Sequence, residues 1–183
     1  LANKSKIAVL CLEEIGSLSP AMQKLLNPLL DWRSGLYVDA LDKTFHLEEG
    51  SKLIVFATSN PSSNGGIYEL NQDLKSRFAI WTWDYPDIRN EMSMVNRSEI
   101  PAKFSEGVFR LAVETRALEK SGSLDYSIST RDIADAFDLY RSYIGVDGIN
   151  LQQMVLDLKV LGNYDTDDQI DTIKSRMESI FGK

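Results

Sequence analysis

The sequence predicts an α/β fold: a parallel-sheet core in its first half and an all-helical second half. Three observations carry this. Residues 7–12, Ile-Ala-Val-Leu-Cys-Leu, form an unbroken apolar run that stops at Glu13-Glu14. Such a run reads as a strand buried on both faces of a parallel sheet. A second run, Leu53-Ile54-Val55-Phe56-Ala57, stops at Thr58-Ser59-Asn60-Pro61. After Pro86 the strand signals fade and apolar residues recur at helical spacing, which divides the chain into a core over 1–86 and a helical domain over 87–183.

The elements follow in order. Residues 1–6 are a polar lead-in, and without an initiator methionine the N-terminus reads as a cut or processed end. Ser19 is a natural N-cap with Pro20 at the first helical position, so a helix runs from there to about residue 33, broken or kinked at Pro28. Residues 36–41 and 44–47 alternate around Asp42-Lys43 and read as a β-hairpin. Residues 52–58 form the second apolar strand. The loop 62–66, Ser-Ser-Asn-Gly-Gly, is flexible by composition. A short helix over 67–75 leads to a third strand over 79–83, with Trp81 and Trp83 on one face as core packing, not a base-stacking platform. Helices are expected over 87–97, 101–120, 130–143, 149–161 and 166–181. Phe104, Val108, Leu111, Ala112 and Leu118 point inward from the second of these, and Ile133, Ala136, Phe137 and Tyr140 from the third.

Composition narrows the function classes. The chain has 183 residues, 43% of them hydrophobic, and a net charge of −7. It is long enough to bury a core, and no apolar run approaches a membrane span. The acidic balance argues against a broad basic face for nucleic acid and leaves room only for a local patch. The single cysteine, Cys11, excludes an internal disulfide framework and fits a reducing compartment. Its place in the apolar strand reads as a small core residue, with the thiol pKa raised by burial. His46, the only histidine, has no Cys or second His to complete a zinc set and reads as a surface hairpin residue.

Carboxylates at the C-terminal edge of a parallel strand stand where open α/β sheets bind ligands. Glu13 and Glu14 there can hold Mg²⁺ and orient a water toward a phosphate, or form only a solvated acidic turn. The order of motifs favours the first. An apolar strand ends in Glu-Glu, another in Thr-Ser-Asn-Pro, a helix in Leu74-Lys75-Ser76-Arg77-Phe78, and the helical region carries Ser129-Thr130-Arg131. This order resembles the C-terminal part of an AAA+ ATPase core and its helical lid, most nearly the MoxR-type branch with the CbbQ/NorQ group. The resemblance covers residues 7 to about 181 and is weakest over 87–123.

The resemblance implies roles. Residues 9–14 match the Walker B strand, with Glu13 at the Mg²⁺ shell and Glu14 polarising the attacking water. The family usually has Asp where this chain has Glu13. Asn60 matches sensor 1, against an ordinary Asn-Pro turn. Arg77 matches the arginine finger that reaches a neighbouring subunit's nucleotide, against a surface salt bridge. Arg131 matches sensor 2, the lid arginine that answers the γ-phosphate, with Asp132 beside it as either its simple ion-pair partner or a helix-start acid. The hairpin sits where the branch carries a pre-sensor 1 hairpin, with Asp42 and Lys43 at its tip. It either faces a central pore or is a solvated connector.

The Gly-x-x-x-x-Gly-Lys-[Ser/Thr] loop that cradles the phosphates does not occur in these residues. The resemblance implies that it lies upstream of Leu1 and that its strand sits between the sensor 1 strand and the strand after Arg77. The chain therefore reads as a fragment with exposed apolar edges and weak or no hydrolysis alone. It would lean on another polypeptide, self-associate, or derive from a larger protein. The implied whole is a cytoplasmic homo-oligomeric ring, a hexamer. It uses ATP and Mg²⁺ to remodel or activate a protein client, often with a von Willebrand A-domain partner. Two other readings stand beside it: an McrB-like GTPase linked to nucleic acid, and a non-catalytic regulatory or structural AAA+ subunit, which the Glu13 departure suits.

Overall fold

The computed structural model describes residues 7–60 and 68–182. The chain divides into two compact units, Leu1–Thr82 and Trp83–Lys183, and the buried apolar cluster lies in the second. The expected flexible loop at 62–66 lies outside the described residues.

In the first unit β1 (Ile7–Leu12) and β4 (Lys52–Ala57) pair in parallel, from Ile7 opposite Lys52 to Leu12 opposite Ala57. A parallel pair needs a crossover, and this one carries two helices and a hairpin. Ser19 caps α1 (Pro20–Leu25), its Oγ accepting from the Met22 N–H at 3.4 Å. Pro28 has no N–H and its ring crowds the preceding turn. The helix accordingly stops at Leu25 and restarts as α2 (Asn27–Leu30). The second segment ends at Leu30, earlier than expected, because Asp31 turns extended and takes the Arg33 side chain instead. The hairpin forms, but with a shorter first strand than expected: β2 (Gly35–Val38) and β3 (Lys43–His46) pair antiparallel, residues 39–41 make a 3-10 turn, and Lys43 pairs with Val38 instead of standing in the turn. Asp42, left-handed at φ 44°, closes the turn and accepts the Tyr37 hydroxyl at 2.8 Å. A side chain at Gly35 would stand 2.8 Å from the ring of the exposed His46, which would have to shift to admit it.

Three expectations fail here, for related reasons. β1 is not buried on both faces: Ile7 and Val9 are 58% and 60% exposed, and Phe56 on β4 is 60% exposed. Two strands and short helices can cover only one side. Cys11 lies on the open side, so it is an exposed thiol and not a core residue. The third strand over 79–83 is absent. A strand is held by ladder bonds to a neighbour, and no described strand pairs with this segment. Trp81 and Trp83 are accordingly 79% and 87% exposed and do not pack as a core. The helix before it is shorter than expected, α3 (Gln72–Lys75), anchored by a fully buried Leu74.

The second unit is helical throughout its regular elements. Asp87 caps α4 (Ile88–Met94) by accepting the Arg89 and Asn90 N–H groups at 3.0 and 3.1 Å. The long α5 (Ala102–Lys120) buries Phe104, Val108, Leu111 and Ala112, the expected stripe, with Leu118 partly covered. It packs with α6 (Thr130–Ser142), α7 (Leu151–Lys159) and α8 (Asp167–Phe181) around one apolar core. Phe109 meets Phe137 edge-on with ring centres 6.0 Å apart, a favoured aromatic geometry. Among the described residues no helix is long and apolar enough to cross a membrane.

Candidate functional site

β1 and β4 bring their C-terminal ends side by side, and the chain beyond each end is tied to the other. Thr58 N–H donates to the Leu12 carbonyl at 2.9 Å, and Ile15 N–H returns to the Thr58 carbonyl at 2.9 Å. Between them Glu14 is left-handed, at φ 52° and ψ 47°. Its N–H donates to Thr58 Oγ1 at 3.1 Å, and its carbonyl accepts the Ser17 hydroxyl at 2.7 Å and the Ser17 N–H at 2.9 Å. A non-glycine residue in this region carries about 1–3 kcal/mol of strain and persists only where its surroundings fix it. Here those bonds fix it. The result is a stiff backbone carrying two exposed carboxylates, Glu13 and Glu14. Asn60 follows Thr58 by two residues and is also exposed. The structure thus places Glu13, Glu14 and Asn60 on neighbouring segments at one sheet edge.

The donor set suits Mg²⁺ in one respect. Among the described residues no three His, Cys, Asp or Glu side chains cluster as a complete metal cage. Mg²⁺ does not ask for one: it is held by one or two carboxylates plus water and phosphate oxygens. Glu13 and Glu14 can supply the carboxylate part, while the Gly-x-x-x-x-Gly-Lys-[Ser/Thr] loop that would cradle the phosphates does not occur in these residues.

Arg77 lies elsewhere on the same unit. Its Nε donates to Asn27 Oδ1 at 3.3 Å, and a guanidinium nitrogen stands 3.7 Å from Asp31 Oδ2. It borders a cavity of about 450 Å³ lined by Lys52, Leu53, Ile54 and Val55, the earlier part of β4. Asp31 belongs first to Arg33, which holds it with three side-chain bonds of 2.6–3.1 Å. The Arg33 bond, against a smaller opposing effect of burial, lowers the Asp31 pKa to about 2.

Arg131, in the second unit, is exposed at the second position of α6. The alternative pairing with Asp132 does not form. Asp132 is the acid of a capping box: its Oδ2 accepts the Ser129 N–H at 2.7 Å, the Ser129 hydroxyl at 2.6 Å and the Tyr126 hydroxyl at 2.5 Å. The cap uses Oδ2 of Asp132, and Arg131 has no ion-pair partner among the described residues.

Sequence reasoning missed the groups directly behind Arg131. Glu91 on α4 is fully buried and takes two bonds from Arg116 on α5, at 2.6 and 2.8 Å. It also accepts the Thr130 hydroxyl at 2.6 Å. Arg116 Nε donates to the Ile128 carbonyl at 2.9 Å, and the guanidinium lies 3.6 Å over the Tyr85 ring. Burial pushes the Glu91 carboxyl up, but the Arg116 and Thr130 bonds outweigh it and hold the pKa below the ordinary 4.5. The signal was present: Glu91 falls between Ile88 and Val95 on the apolar face of its helix, and Arg116 continues the Val108–Ala112 stripe. Opposite charges on two inward faces announce a buried pair.

A small parallel sheet with a clamped carboxylate edge, beside many helices, is a mixed α/β arrangement compatible with part of an AAA+ fold. No family model matches the chain. It is similar to Protein CbbQ of Hydrogenophilus thermoluteolus, at 26% identity over 133 residues, which cover 72% of this chain and 49% of that protein. The chain spans about half the length of that relative. At this distance the likeness supports the MoxR-type AAA+ family, as the motif order does, and nothing finer.

Proposed function

We propose that this chain is part of an AAA+ ATPase of the MoxR type that hydrolyses ATP at ring-subunit interfaces to remodel or activate a protein client. The observation that carries the reading is the Glu14 clamp. A strained glutamate, fixed by its neighbour strand, stands at the edge of a parallel pair with Asn60 close behind it in sequence from Thr58. Such rigidity suits a group that must hold a water in line, because preorganised geometry spares reorganisation during reaction.

In this reading Glu14 orients and polarises the attacking water, and Asn60 lends its amide to the same water. Glu13 contributes to the Mg²⁺ shell. Bound Mg²⁺ and ATP supply the phosphoryl electrophile and its charge neutralisation. Arg77 serves a neighbouring copy, which agrees with its place beside the earlier part of β4 and away from the Glu14 edge. Arg131 answers the γ-phosphate from its own subunit. The assembly is a cytoplasmic homo-oligomeric ring, a hexamer, acting on a protein client with a von Willebrand A-domain partner.

The test is nucleotide turnover by the complete gene product containing these residues. Glu14→Gln is expected to lose about 10²-fold or more in kcat while still binding ATP. Arg77→Ala is expected to lose about 10³-fold, and a mixture of the two variants to recover part of the activity through mixed interfaces. Turnover in the wild type no higher than in both variants and at background removes the ATPase reading in favour of a non-catalytic subunit, and equal turnover above background removes the roles of Glu14 and Arg77.

A further inference from the structure

We propose that Thr130 is a positioning residue for Arg131, and that the buried Glu91–Arg116 pair exists to hold it. This rests on the reading of Arg131 as the residue that answers the γ-phosphate.

The argument begins with neighbours. Thr130, Arg131 and Asp132 are consecutive in the first turn of α6, after the Ser129 cap. The residues on both sides of Arg131 are tied down. Asp132 is bound to Ser129 and Tyr126. Thr130 gives its hydroxyl to Glu91 at 2.6 Å. Arg131 itself is exposed and makes no hydrogen bond or ion pair among the described residues. Successive helical residues are about 100° apart around the axis. Fixing Thr130 inward therefore fixes the direction in which Arg131 leaves the helix, and the Asp132 cap keeps the turn from fraying.

The second step concerns why a charge pair is there at all. Burying a carboxylate and a guanidinium offers little net stability over apolar residues of the same volume. What it offers is direction. Glu91 has one oxygen, Oε2, facing Arg116, and another, Oε1, shared between Arg116 and Thr130. Arg116 is itself oriented by the Ile128 carbonyl two residues before Thr130 and by the Tyr85 ring. The start of α6 is thus referenced to α4 and α5 through bonds that tolerate little rotation. An apolar patch would let the turn slide.

The experiment uses the complete gene product, with fluorescent ATP and ADP analogues as probes. Thr130→Val keeps the size of the side chain and leaves the Glu91–Arg116 pair intact. Thr130→Ser restores the hydroxyl. Arg131→Ala is expected to reduce the preference for the ATP analogue over the ADP analogue by about 10-fold or more. Thr130→Val is expected to reduce the same preference by about 3- to 10-fold with no more than a few degrees lost in Tm, and Thr130→Ser to recover it. A merely structural role would lower Tm and leave the ratio alone. Thr130→Val with wild-type preference beside a defective Arg131→Ala overturns the positioning role. Unchanged preference in Arg131→Ala overturns the reading of Arg131 itself.

Discussion

Replacing Glu91 by Leu should strongly destabilise the helical unit. Glu91 is fully buried, and its partner's side chain is only 8% exposed. Without the carboxylate, Arg116 keeps its bond to the Ile128 carbonyl and its stack on Tyr85 but loses both of its carboxylate bonds. Breaking a buried pair from one side costs about 3–5 kcal/mol, because a charge is left uncompensated. The Thr130 hydroxyl loses its acceptor as well. With a urea slope of about 2 kcal/mol/M, the midpoint of the helical transition should fall by roughly 2 M. Circular dichroism at 222 nm on the 183-residue chain reads this directly. The double variant Glu91→Leu with Arg116→Met should regain most of the loss, since removing both charges is close to neutral. A Glu91→Leu midpoint within about 0.3 M of wild type, under 1 kcal/mol at that slope, would refute the burial argument. A double variant as unstable as either single one would refute the charge argument. The pH dependence has a definite sign. The Glu91 pKa is lower folded than its ordinary 4.5, so its contribution is complete above that value and fades as acid protonates the folded carboxylate.

Two further outcomes are expected. The Asp31 carboxyl, held to a pKa of about 2 chiefly by the Arg33 bond, should titrate by NMR well below an ordinary aspartate, and its contribution to stability should be lost only as pH falls from about 4 toward 2; a midpoint near 4 would show that the Arg33 pairing does not form. A side chain added at Gly107 would stand 2.3 Å from the Phe181 ring; Gly107→Ala should cost about 1 kcal/mol, the low end for overpacking, because Phe181 ends its helix and can swing aside, and a loss above about 3 kcal/mol by thermal unfolding would show that the ring is not free to move.

How much of this was legible varied with how local the cause was. Ser19 acts within one turn, and the sequence announced it; the caps at Asp87 and the Ser129–Asp132 box act just as locally but were not read. The α5 stripe is likewise a matter of period. The β1 burial and the strand at 79–83 were misread because each depends on what lies across from it, and apolar character does not say whether a covering layer is there. Trp81 and Trp83 illustrate the point: the alternation is strand-like, yet no described strand pairs with it. Glu13, Glu14, Asn60, Arg77 and Arg131 came from motif order. Glu91 belongs to no motif, its inward position on α4 was legible only from the spacing of Ile88 and Val95, and its bonds to Arg116 and Thr130 show themselves only when the helices are brought together.

The two ends of β4 carry the strongest remaining argument about how a site would be completed. Glu14 is bound to Thr58, just past the last residue of the strand. Arg77 borders the cavity lined by Lys52–Val55, at the strand's earlier part. A strand advances about 3.3 Å per residue, so six residues separate its ends by well over the reach of a hydrogen bond. Both residues belong to one unit, yet each has its own fixed surroundings: Glu14 a backbone clamp, Arg77 the Asn27 and Asp31 side chains. The Asn27 and Asp31 contacts are the surface pairing that the sequence also allowed, and presenting the guanidinium to something outside the unit requires it to leave them. In the proposed ring that something is a neighbouring copy's nucleotide, and the recovery of activity in mixed Glu14→Gln and Arg77→Ala assemblies is the consequence that an isolated, self-sufficient site could not produce.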